Sequence, residues 1–222
     1  MDKPKLAVLG LGSRSTSFYL SRLNAEFQDK KGSYSTCPLW LLNTNFNAIN
    51  TLLPNTSKQL DSIVNAYIKE IEQLDIEYIL IPNITLHETV DRLKINKKIL
   101  HPIDLTISKI KENKWNKVVL FGSLFSMKST YISDAFKAEG ITVIAPSEKD
   151  MKFIDRVRTE IYNEAETEDL IEAYHLLINQ YATNTPVIMA CTELSILKPN
   201  NHKHLLDMAD AQIKGAVNIY HF

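Results

Sequence analysis

Short apolar runs recur along the chain, each closed by a glycine or a small polar residue. Longer stretches with apolar residues three and four apart lie between them. The runs at 5–10, 38–43, 78–82, 118–121, 141–145 and 187–190 read as buried strands, with shorter ones at 99–103 and 205–207. Leu60, Ile63, Val64, Tyr67, Ile71 and Leu74 form one stripe of a helix that opens at Pro54-Asn55. Further helices are expected through Phe18, Leu20 and Leu23, from His87 to about 98, over 103–113, and from Gly122 to a cap at Gly140. Ser147 caps a helix on Met151, Ile154, Val157 and Ile161; Leu170, Tyr174, Leu177 and Tyr181 mark another. Ala209, Ile213, Ala216 and Val217 line the last. Strands alternating with helices predict an α/β protein with parallel sheets.

The pattern repeats. Leu6–Gly10 and Val118–Gly122 are each a strand ending in glycine with Ser or Thr following, 112 residues apart. Tyr78–Thr85 and Pro186–Glu193 share an apolar strand, a small polar residue and a helix start, with Asn83 and Cys191 aligned 108 residues apart. Two pairs at nearly one offset indicate an internal duplication. The expectation is two similar parallel-sheet (αβα) subdomains related by a pseudo-twofold axis, with the active-site cleft between their strand ends. Residues 1–98 form the first, 99–206 the second, and the helix in 207–222 packs back on the first.

In Pro186-Val187-Ile188-Met189-Ala190-Cys191-Thr192-Glu193-Leu194, four apolar residues run into a cysteine and a helix start. Open α/β sheets place ligands at this carboxyl edge. A thiol there meets the positive end of a helix dipole, which favours the thiolate; the competing reading is a small buried hydrophobe. The turn Gly10-Leu11-Gly12-Ser13-Arg14-Ser15-Thr16 offers backbone N–H groups and hydroxyls to an anion. Ser15 stands where a dinucleotide fingerprint needs its third glycine, and no Walker Gly-Lys-Ser/Thr is present.

Net charge −1 gives no basic signature for nucleic acid or an anionic membrane. No apolar run approaches a bilayer span, and Met1–Lys5 leads into a strand without a signal peptide. Cys37 and Cys191, the two cysteines, read as thiols of a reducing cytoplasm, with Cys37 structural. The histidines lack zinc-type spacing, so no metal is expected, and His202-Lys203-His204 reads as a solvated loop.

Four segments together resemble the aspartate/glutamate racemase family over nearly the whole chain. Gly10–Thr16 is similar to its Gly-Met-Gly-Pro-x-Ala-Thr loop, and Ile84-Thr85-Leu86-His87 to Asn-Thr-x-His. Gly122-Ser123-x-x-Ser126-Met127 resembles Gly-Thr-x-x-Thr-Met, and Ala190-Cys191-Thr192-Glu193-Leu194 resembles Gly-Cys-Thr-Glu-Leu. Asp207-Met208-Ala209 is similar to an Asp-Thr/Ser segment near the family's C-terminus. The resemblance implies a homodimeric enzyme of amino-acid metabolism that uses no pyridoxal phosphate, metal or nucleotide. In that family two cysteines flank the substrate α-carbon; one thiolate removes the α-proton while the opposing thiol delivers another. Carried over, it makes Cys191 the catalytic thiol and puts Gly12, Ser13, Thr16, Thr85, Ser126 and Thr192 on a small carboxylate or amino acid, with His87 and Glu193 behind them.

This chain departs from the pattern. Asn83 occupies the first-cysteine position, and an amide donates or accepts hydrogen bonds but is no general base. Ile84 replaces an asparagine, Gln212 falls where a histidine is common, and residues 43–55 hold no arginine, a role Arg14 could take. Three readings follow: a racemase/isomerase with Cys191 as its one thiol, a one-base decarboxylase or lyase of the arylmalonate type, and a catalytically silent homologue that binds a small carboxylate. The bland alternatives are that Thr85, Ser126 and Thr192 are helix N-caps, that His87 is a core histidine, and that Glu193 favours the helix N-terminus and bonds across the cleft.

Overall fold

A computed structural model describes residues 3–200 and 202–222. They form an α/β fold with two four-stranded parallel sheets. The chain divides into two compact units, one made of residues up to His101 together with Gln212–Phe222, the other of Pro102–Ala211.

In the first unit the elements run β1 (Leu6–Gly10), α1 (Ser13–Lys31), β2 (Leu39–Asn43), α2 (Asn47–Asn50), α3 (Lys58–Ile71), β3 (Tyr78–Leu80), α4 (His87–Val90) and β4 (Lys98–Ile99). The sheet order is β2-β1-β3-β4, which places the wholly buried β1 at the centre beside β3. The stripe Leu60, Val64, Ile68 and Ile71 of α3 packs with Ala7, Leu9, Ile79 and Ile81 of the two central strand segments. Ser57, not Pro54 or Asn55, starts α3, its hydroxyl accepting from Leu60 N at 3.1 Å.

The second unit repeats the plan with α5 (Pro102–Glu112), β5 (Lys117–Phe121), α6 (Leu124–Lys128), α7 (Thr130–Ala138), β6 (Thr142–Ile144), α8 (Glu148–Tyr162), α9 (Glu168–Ala182), β7 (Val187–Met189), α10 (Thr192–Ile196), β8 (Leu205–Asp207) and α11 (Met208–Asn218). Its sheet order, β6-β5-β7-β8, is the first order again. Ile154, Val157 and Ile161 of α8 and Leu170, Tyr174 and Ile178 of α9 bury against Val119, Phe121, Val187 and Met189. The helix α11 begins in this unit and ends in the first.

Several sequence expectations need correcting. The helix expected from His87 to about 98 stops at Val90. Arg92 N and Leu93 N bond only three residues back, to Thr89 O and Val90 O at 3.0 Å each, and this tightened turn sends the chain off to β4. The single helix expected from Gly122 to Gly140 is two: Ser129 is extended (φ −68°, ψ 147°), and its hydroxyl caps α7 by accepting from Tyr131 N at 3.2 Å. Gly140 follows α7 with φ 76°, a left-handed conformation that suits glycine. The segment 202–204 is a loop with Lys203 exposed, and its His204 ring Nδ1 lies 2.9 Å from Ala182 O. Among the described residues no helix is long and apolar enough to cross a membrane.

Candidate active site

The two sheets share a register as well as an order. Counting on from Val8↔Leu80 brings Gly10 level with Pro82, and counting on from Phe121↔Met189 brings Gly122 level with Ala190. Asn83 and Cys191 are each the next residue. Each therefore leaves the carboxyl edge of the strand beside its unit's central strand.

In the second unit Cys191 holds the N-cap position of α10 in extended conformation, with no side-chain cap bond. The thiol is nearly closed off, at 8% exposure, and its Sγ donates to Glu193 Oε2 at 2.9 Å. Burial pushes the thiol well above its ordinary range, and the neighbouring Glu193 carboxylate pushes the same way; the Arg158 guanidinium and the Leu194 N–H act against them. The direction is opposite to that of the helix dipole and agrees with the buried-thiol reading. A helix of five residues offers a small dipole, and desolvation beside an anion outweighs it.

Arg158 was not singled out by its sequence pattern. It extends from α8, half-buried, its Nε donating to Asp155 Oδ1 at 3.0 Å and its Nη2 to Thr159 Oγ1 at 3.2 Å. Burial works against its charge, yet Cys191, Asp155 and Glu193 together hold its pKa above the ordinary value. Asp155 Oδ1 also accepts from Leu124 N at 2.9 Å, joining α8 to the start of α6. There Ser123, not Ser126, is the cap; its Oγ accepts from Ser126 N at 3.1 Å and lies 2.9 Å from Ser126 Oγ. A Cβ on Gly122 would stand 3.1 Å from Ser126 Cβ and 3.4 Å from Ala190 O, so this strand end admits only a close backbone approach.

Asp207 supports the thiol's helix from beneath. It is 3% exposed, and its Oδ1 accepts from Ser195 Oγ at 2.8 Å and from Ala209 N at 2.9 Å. The Ser195 backbone N–H in turn donates to Cys191 O at 3.3 Å. Lys198 pairs with both Asp207 and Asp210. Tyr174 donates to Leu194 O at 3.3 Å from α9, and burial raises its hydroxyl well above the usual range, with Asp207 and Cys191 adding to the effect. Thr192 is buried as the first residue of α10 and is not its cap.

In the first unit Asn83 is fixed by two bonds. Its Oδ1 accepts from Leu86 N at 3.0 Å, and its backbone carbonyl accepts from the His87 ring, with Nδ1 at 2.9 Å. Oδ1 is thereby committed to the turn that leads into α4. His87 is wholly buried; burial, with His101 beside it, lowers its pKa to about 3, so it is a neutral core histidine. Thr85 is half-buried in the turn before α4, whose N-cap position belongs to Leu86. In the loop after β1, Leu11 N donates to Thr16 Oγ1 at 3.0 Å and Gly12 takes the N-cap position of α1 without a side-chain bond. Ser13 is exposed and Thr16 buried. A Cβ on Gly10 would meet Asn43 Oδ1 at 2.7 Å. Cys37 is buried, and burial pushes its thiol to about 11, which leaves it inert at neutral pH. Gln212 is wholly buried in hydrogen bonds of its own unit and is a packing residue.

Two four-stranded parallel sheets of one order and register define a doubled open α/β protein. Compared with known proteins, the chain belongs to the Asp/Glu/hydantoin racemase family, whose sequence profile matches residues 8–216. No curated protein matches it. Among solved structures it is similar to an Asp/Glu racemase candidate from Yersinia pestis, with 20% identity over 97% of this chain and 98% of that one and a TM-score of 0.84. It is similar also to an aspartate racemase homologue from Pyrococcus horikoshii OT3 (20% identity, 99% of each chain, TM-score 0.82). An aspartate racemase from Picrophilus torridus shares 18% identity over 98% of this chain and 94% of that one, with a TM-score of 0.79. At such identities the likeness is one of fold.

Proposed function

We propose that this protein is an Asp/Glu racemase-like isomerase acting at the α-carbon of a small amino or carboxylic acid, with Cys191 as its one thiol acid/base. The observation that carries the reading is the setting of Cys191: a buried thiol leaving a strand end, hydrogen-bonded to Glu193 and beside the Arg158 cation, in a chain of a racemase family. The reading needs no cofactor. Arg158 and the N–H of Leu194 favour negative charge at the sulfur and on a carboxylate next to it. Asn83 stands in for the first thiol of a two-thiol racemase; its NH2 donates to the substrate and moves no proton. Gly12, Ser13, Thr16, Thr85, Ser126 and Thr192 bind the substrate's polar groups, and His87 holds Asn83 in place through its carbonyl.

One observation favours a second reading. A thiol held neutral by burial starts the cycle as an acid, which suits a lyase that protonates an enediolate after carbon dioxide leaves. The test is a panel of aspartate, glutamate and malonate-type acids in deuterium oxide, followed by NMR. The isomerase reading expects α-hydrogen exchange that Cys191→Ser abolishes; carbon dioxide release identifies the lyase. A folded protein silent on the whole panel rejects both and leaves a carboxylate-binding homologue. Asn83→Cys restores the second thiol, and racemisation is expected to rise at least tenfold over wild type.

A further inference from the structure

We propose that Glu193 is the proton port of Cys191, carrying protons between the thiol and solvent in each turnover. This rests on the reading of Cys191 as the acid/base. The sulfur is nearly closed off while Glu193 is half-exposed, and the S–H points at Oε2 from 2.9 Å. The carboxylate is thus the member of the pair that meets water.

A one-thiol lyase gives up a proton in every turnover. In a one-thiol isomerase the α-hydrogen exchanges with solvent only if the sulfur does, so either calls for such a route. In a two-thiol racemase the proton removed by one sulfur is matched by the proton given by the other. The amide of Asn83 cannot take that part. The other charged or titratable groups facing Cys191 are unsuited to it. Arg158, from α8, stays protonated and is engaged with Asp155. The hydroxyl of Tyr174, from α9, donates to Leu194 O. Asp207, from β8, accepts from Ser195 and Ala209 and pairs with Lys198.

The step balances without an oxidant or reductant. When Cys191 protonates the substrate carbanion, S–H breaks, C–H forms and the electron pair stays on sulfur as thiolate. Glu193, protonated from water, then passes its proton on: O–H breaks, S–H reforms and the carboxylate returns. In reverse, the thiolate removes the α-hydrogen and Glu193 sheds the surplus proton to solvent.

Wild type, Glu193→Gln and Glu193→Asp are compared in two measurements. One is α-hydrogen exchange of aspartate, glutamate and malonate in deuterium oxide; the other is the pH profile of Cys191 alkylation by iodoacetamide, mapped by peptide mass. In the Gln variant the alkylation midpoint is expected to fall, since the anion that holds the proton on sulfur is gone, with its high-pH plateau unchanged. Exchange in the same variant is expected to drop about a hundredfold. More thiolate with less turnover is a pair of changes that a loosened site with a raised plateau would not give. Asp is expected to retain exchange within tenfold of wild type, and it decides the matter if the Gln variant fails to fold. An unmoved midpoint, or exchange in the Gln variant within twofold of wild type, overturns the port while leaving Cys191 as acid/base. A wild type that exchanges none of the probes overturns the acid/base reading, and the port with it.

Discussion

The Tyr19 hydroxyl donates to Gln212 Oε1 at 2.6 Å, and Gln212 Nε2 donates to Leu100 O at 2.7 Å. Both side chains are wholly buried, so one amide satisfies a hydroxyl from α1 and a carbonyl after β4 at once. Gln212→Ala takes one hydrogen bond from each of two buried polar groups, and the expected cost is about 3 kcal/mol. Urea unfolding followed by circular dichroism checks it. A loss below about 1 kcal/mol would mean that water takes both places.

His87 makes stability depend on pH. Its pKa falls from 6.5 to about 3 on folding, chiefly through burial and then through His101. The unfolded chain therefore binds more protons than the native one between these values, and stability must rise with pH. The contribution is complete above the unfolded pKa and is lost as pH falls through the window toward 3. Between pH 7 and pH 5 this group is expected to cost about 2 kcal/mol. Urea midpoints of wild type and His87→Gln at the two pH values isolate the effect, because the variant lacks it.

Arg158 keeps the Cys191 thiol from rising further. Arg158→Ala removes the cation, so the thiolate fraction at pH 8 must shrink, and alkylation of Cys191 is expected to slow by about tenfold. Arg158→Lys keeps the charge and is expected to recover most of the rate. Peptide mapping separates this signal from Cys37. Faster alkylation in the Ala variant would mean that Arg158 shields the sulfur more than it stabilises it.

Much of this was legible in the sequence. Strand ends announce themselves by an apolar run meeting a small polar residue, and the match between Gly10 and Gly122 reappears as one register in two sheets. Arg158 had a visible signal too: Ile154, Arg158 and Ile161 fall at the spacing of the buried stripe of α8, where a cation is out of place. The direction in which the Cys191 pKa moves was not readable, since it depends on how far the sulfur is desolvated and where Glu193 points. Nor was the break at Ser129, where a local cap competes with a continuing helix and wins.

The path of α11 bears on how the protein is made. Residues up to His101 need Gln212–Phe222 to complete their unit, whereas Pro102–Ala211 is one unbroken stretch. During synthesis the second unit has all its residues while the first, begun earlier, still waits for its closing segment. A ribosome stalled just before Gln212 would have made every residue of the downstream half, while in the upstream half Tyr19 and Leu100 would still lack the bonds that Gln212 gives them.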